Sequence, residues 1–165
     1  MKSWAKRPKE EAYLLNPAFC STALTASIAG YTNIDTEGMP LRISFLVLPI
    51  ILHKQTREIL PIKITTSLPA WIQENASAKI LFYERAKSLT PYTKEAILFG
   101  LMNDMLEIQQ NGKLQSKIVD SKVVTLSHKL EEEAKECVSR ARFVGRWLAS
   151  AGSPQTVMAL WGVCP

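Results

Sequence analysis

The sequence predicts a mainly α fold with a small β-hairpin (α+β), in which a winged-helix-like core is followed by a long C-terminal helix and a short terminal helix. Three observations predict it. Leu130, Ala134, Cys137, Ala141, Val144 and Leu148 step by 4, 3, 4, 3 and 4, a seam on a helix from about Ser127 to Ala149. Helix-start chemistry recurs at Asn16-Pro17, at Ser67 with Pro69, and at Ser153-Pro154. Asn111-Gly112 lies between two short strand-like runs and is the most legible hairpin turn.

In chain order, the Asn16 side chain can cap the amides of a first helix, Ala18 to Tyr31. Phe19, Ala23, Leu24, Ile28 and Tyr31 are its apolar positions, with Gly30 near its stop. Asp35 to Pro40 is turn chemistry. Leu41 to Leu52 is apolar almost all round, so periodicity does not separate a buried helix from a buried strand; its length and Pro40 favour a helix, kinked or broken near Pro49. A helical turn after Lys54 is followed by a connection, then a helix through Trp71 and Ile72 begins at Ser67. The next helix covers Ala78 to Leu89. Pro91-Tyr92-Thr93 resets the chain, and Thr93 starts another helix that buries Ala96, Ile97, Phe99, Gly100, Leu101 and Met105.

A two-residue loop at Asn111-Gly112 would place Ile108 and Leu114 on opposite faces. A three-residue loop, Gln110 to Gly112 with Gly112 left-handed, pairs them on one face and buries both, so that register is expected. Two helices, a short turn and a hairpin are the outline of a winged helix-turn-helix. After the long helix, Ser153-Pro154 opens a last helix, Gln155 to Trp161, ended by Gly162. The chain is expected to be one compact domain, 1–165, with an N-terminal helical part (10–66), a winged-helix-like part (67–118) and C-terminal helices (119–165).

Composition narrows the function classes. A 47% hydrophobic content over 165 residues is enough for a core, and the net charge of +5 permits a polyanionic partner without demanding one. Cys20, Cys137 and Cys164 are odd in number and widely spaced, so no disulfide framework is expected and a reducing compartment is the default. Lys2, Lys6, Arg7, Lys9, Glu10 and Glu11 leave no uncharged leader core, and the longest charge-free apolar run, Ile43 to Leu52, is about half a membrane span. A cytoplasmic protein is expected.

The catalytic inventory is thin. His53 and His128 lie far apart without metal-ligand spacing, no Gly-rich phosphate loop exists, and Glu10-Glu11 and Glu131-Glu132-Glu133 read as solvated faces. No catalytic residue, metal or cofactor is expected. The long helix says more. Glu136 precedes Arg140, and Glu131 precedes Lys135, by four residues, whereas Arg142 and Arg146 share a face with no acid at that spacing. Exposed arginines near a helix C-terminus are the plain reading of that pair. A partner's acidic surface is the functional one, and Phe143, Trp147 and Trp161 are assigned with Arg142 and Arg146 to the partner interface, although such aromatics, Trp4 included, more often fill a core. Lys113 and Lys117 on the hairpin are the candidate nucleic-acid contacts. The helix before the hairpin is too apolar to read bases, so protein docking is weighted above DNA reading.

A longer pattern joins these segments. Arg7-Pro8 and Leu14-Leu15-Asn16-Pro17-Ala18-Phe19-Cys20, Phe45 to Ile50 with His53-Lys54-Gln55-Thr56-Arg57, Pro91 to Ala96, and Phe143-Val144-Gly145-Arg146-Trp147-Leu148 through Gly162-Val163 together resemble the three-component ABC system middle component family. That resemblance implies an accessory subunit without an active site of its own. Its partners would be an ATPase like those of structural maintenance of chromosomes (SMC-like) and an effector, often a nuclease, in Lamassu-type antiphage and antiplasmid defence. DNA would be met through the complex, and no membrane is involved. From the residues alone, a winged-helix DNA-binding regulator is the alternative.

Overall fold

The computed structural model describes residues 15–119 and 130–163. Among these, seven α-helices surround one contiguous apolar core, with a three-stranded antiparallel sheet at one side. Trp4, Glu10, Glu11, Ser127, His128 and Cys164 lie outside the described residues.

Helix α1 (Pro17–Thr32) starts where expected: Asn16 Oδ1 accepts from the Ala18 amide at 2.8 Å, and Pro17 occupies the first turn. It is buried on nearly every side, Ser21, Thr25 and Ser27 included. The short strand β1 (Met39–Pro40) leads into α2 (Leu41–Ile51), which runs through Pro49. Then come α3 (Lys54–Glu58), α4 (Leu68–Glu74) and a 3-10 turn, Ala76–Lys79.

The break expected at Pro91-Tyr92-Thr93 does not occur. The two helices predicted there are one, α5 (Phe82–Met102), with Pro91 inside it, so the helix pair on which the winged-helix outline rested is absent at that place. Pro91 faces solvent, where water can take the carbonyl its missing N–H leaves free, while the Thr90 and Thr93 hydroxyls donate to Ala86 O and Leu89 O at 2.9 and 3.1 Å. Phe82, Ala86, Leu89, Thr93, Ala96 and Gly100 step by 4, 3, 4, 3 and 4 straight across the proline. A continuous face that packs on α1 and α2 outweighs one missing hydrogen bond.

The hairpin keeps the expected register. Strand β2 (Leu106–Ile108) pairs with β3 (Lys113–Ser116), Ile108 stands opposite Leu114, and Gly112 is left-handed at φ +74°. The burial expectation holds for only one of the pair: Leu114 is 1% exposed and Ile108 57%. The reason is β1, unforeseen because two residues carry no pattern, which pairs Met39 with Leu114 and makes β3 the central strand and β2 an outer one.

Helix α6 (Glu132–Ala149) carries the expected seam from Ala134 to Leu148 but begins only at Glu132, so Leu130 precedes it; α7 (Pro154–Leu160) is capped by Ser153, whose hydroxyl accepts from the Thr156 amide at 3.2 Å. Where α6 crosses α1 the backbones nearly touch. A Cβ on Gly145 would stand 1.8 Å from Ser27 O, and one on Gly30 2.3 Å from Arg142 O. Gly30 therefore does not end α1, which continues to Thr32; it lets α6 approach. Among the described residues no helix is long and apolar enough to cross a membrane.

Candidate docking surface

Helices α2, α5 and α7 meet without filling the space at their outer edge. Between them lies an open groove of about 440 Å³, with Leu41, Phe45 and Leu46 on one wall, Tyr83, Ala86 and Thr90 on the other, and Met158 and Val163 at its end. Leu41 and Tyr83 are 45% and 49% exposed, so the groove presents apolar surface to solvent rather than sealing it in the core. Its charged members are Arg42 and Lys87, both exposed. Lys54, Lys113, Lys117 and Lys135 each have a carboxylate within 4 Å, at Glu58, Asp35, Asp104 and Glu132. Among the described residues Arg42 and Lys87 have none.

The turn that feeds α5 extends this apolar surface. Ile80 and Leu81 are each 64% exposed, and Leu81 adopts a left-handed backbone, φ 53° and ψ 19°, which a branched side chain seldom takes. Arg85 holds the turn: its guanidinium donates to Ile80 O at 2.8 Å and Ala78 O at 3.1 Å and lies over the Phe82 ring, 5.4 Å from its centroid. The turn presents these two large apolar side chains to solvent just before Tyr83 in the chain.

A second cluster is internal. Arg57 is 2% exposed, donates to Ile51 O at 2.8 Å and to Glu133 Oε1 at 3.2 Å, and stands 3.5 Å from Glu136 Oε1. Burial works against its charge, but Cys137, Glu136 and Glu133 more than offset that and raise its pKa. The Cys137 thiol also donates to Ile51 O, at 3.8 Å. Arg57 thus ties the end of α2 to the first turns of α6, and Glu136 faces it across the fold where pairing along the helix with Arg140 was expected. Lys135 pairs with Glu132 at 3.4 Å, not with Glu131.

The residues singled out in the sequence are placed differently. Phe143, Trp147 and Trp161 are 7%, 0% and 1% exposed, and no partner can reach them without opening the core. With Trp71 and Phe82 they form an internal aromatic chain: Phe143 to Trp147 at 6.2 Å, Trp147 to Trp71 at 5.2 Å edge-on, Trp71 to Trp161 at 5.9 Å, and Trp161 to Phe82 at 4.4 Å. The Trp147 indole donates to Thr66 O at 2.7 Å. Arg142 and Arg146 are half-buried, and Arg142 is engaged. On the hairpin, Lys113 lies 3.7 Å from Asp35 and Lys117 2.7 Å from Asp104, so both lysines expected to contact phosphate are held by acids.

Burial pushes the Cys20 thiol up to about 12, with Glu95 and Cys137 adding to it, and burial likewise raises Cys137, so neither is a thiolate nucleophile. His53 caps α3, its Nδ1 accepting from the Thr56 amide at 3.3 Å; burial, then the Arg85 charge, lower its pKa. Among the described residues no group of three or more His, Cys, Asp or Glu side chains could hold a metal ion. Sequence reasoning missed the groove, whose members lie on three helices far apart in the chain. The signals were Leu41 and Tyr83 beside Arg42 and Lys87: Arg42 has no acid three or four residues before it, and Lys87 has none four before it, although Glu84 stands three before.

The family model described as ABC-three component (ABC-3C) system Middle Component 3 matches residues 4–165. No curated protein and no solved structure matches the chain.

Proposed function

The chain belongs to the ABC-three component system Middle Component 3 family, and from that premise we propose that it is a non-catalytic bridging subunit joining an ABC ATPase to an effector. The ATPase is SMC-like and the effector a nuclease, as in Lamassu-type antiphage and antiplasmid defence. The bridging subunit holds that effector inactive until foreign or broken DNA is sensed.

The observation that carries this reading is the groove: exposed apolar walls edged by Arg42 and Lys87, beside a strained turn that keeps Ile80 and Leu81 in solvent. A chain acting alone gains nothing from leaving such surface open, whereas a subunit gains an interface. The core aromatics contribute through the fold, not by contact.

Co-expression with its gene neighbours tests the reading. The chain is expected to co-elute with the ATPase, the effector or both at physiological salt; elution alone overturns it. The DNA-binding regulator keeps one supporting observation, the order of helix, β1, helix, then α5, β2 and β3 with β3 central. Against it stand the acids that hold Lys113 and Lys117. Titration of the isolated chain with duplex DNA separates the two, because the regulator requires sequence-selective, strongly salt-dependent binding.

A further inference from the structure

We infer that the groove between α2, α5 and α7 receives an acidic amphipathic helix from one of the partner subunits. This rests on the bridging reading and names the chemistry of one contact. The walls are parallel to the needs of such a helix in composition: Leu41, Phe45 and Tyr83 give apolar surface for side chains at i, i+3 and i+4, and Arg42 and Lys87 give one cation on each of the α2 and α5 sides. Among the described residues no carboxylate lines the groove, and neither cation has an acid within 4 Å. An incoming segment with Glu or Asp flanking its apolar stripe meets both charges without displacing an existing pair, while a basic segment is repelled.

That charge pattern decides among occupants. By sequence the chain's own first residues carry Lys2, Lys6, Arg7 and Lys9 against Glu10 and Glu11, a net positive charge that does not complement the same rims. A second copy would set one Arg42 and Lys87 pair against another across a two-fold contact, like charge on like. An acidic partner segment satisfies both features of the groove.

The test uses the complex formed on co-expression with the gene neighbours. A photoreactive benzophenone side chain is placed at position 83 instead of Tyr83, and the crosslinked peptide is identified by mass spectrometry. An acidic amphipathic segment of a partner is the expected product. A basic or non-helical partner segment, the chain's own N-terminus, a second copy, or no crosslink within an intact complex overturns the inference and leaves bridging in place. Absence of any complex from the unmodified chain overturns bridging instead. In parallel, Arg42→Glu with Lys87→Glu should weaken that one partner's Kd roughly tenfold or more. The other partner's Kd should be unchanged, and Lys replacements of two acids in the crosslinked segment should restore binding. Equal affinity of wild type and double variant for both partners overturns the inference.

Discussion

The crossing of α1 with α6 and the groove between α2, α5 and α7 are opposite solutions to the same packing problem. At the crossing two glycines bring backbone against backbone, and nothing is left for a partner. At the groove the packed helices leave an open gap, half-exposed apolar residues face water, and two cations have no acid partner among the described residues. The first region is finished by its own chain; the second is where another chain can finish it. Stability and assembly should therefore respond to different residues.

The largest effect is expected at the crossing. Gly145→Ala puts a Cβ against the Ser27 carbonyl, with backbone on both sides and no flexible side chain to yield. It should cost about 3 kcal/mol and lower Tm by about 6–12 °C. An unchanged melting curve would mean that the helices can slide apart freely.

Next comes the clasp. Arg57→Met keeps volume but leaves the Ile51 carbonyl only the weak Cys137 thiol donor, at 3.8 Å. Glu133 and Glu136, 73% and 47% exposed, keep their hydration, so the cost should be about 2 kcal/mol, less than for a pair buried on both sides. Glu133→Gln, altering only the exposed partner, should cost under about 1 kcal/mol. Denaturant midpoints of the two variants check that order.

The groove should behave in the reverse way. Leu41→Ser with Tyr83→Ser is expected to shift stability by under about 1 kcal/mol while weakening the complex at least tenfold, read by melting and by co-elution. A large loss of stability would place these residues with the crossing and dissolve the contrast.

The smallest effect is the cap of α3. The folded pKa of His53 lies below its ordinary 6.5, so the unfolded chain binds the proton more readily. The stabilisation is complete above pH 6.5 and is lost as pH falls through the folded value, when the imidazolium no longer accepts from Thr56. His53→Ser, which retains a cap without titrating, should flatten that part of the pH–stability profile.

Local features were legible wherever a few neighbouring residues decide them. The Asn16 cap, the seam of α6, the Ser153 cap and the three-residue loop at Gly112 each depend on spacing within one turn or one hairpin. Pro91 misleads because a proline is a breaker only locally, while the apolar face running from Phe82 to Gly100 outweighs it within a helix of twenty-one residues. The aromatics misled for a related reason. On their own helix Phe143 and Trp147 merely flank the seam, whereas Trp147 finds its neighbours, Trp71 and Thr66, on distant segments.

Periodicity, caps and turn residues thus settled that this chain is helical, where most helices begin and how its hairpin registers, because those forces act between residues close in the chain. Which apolar faces find each other, which cations find acids and which surface is left over depended on long-range packing. Helix faces of equal greasiness look alike along a sequence and differ only in what comes to lie across from them.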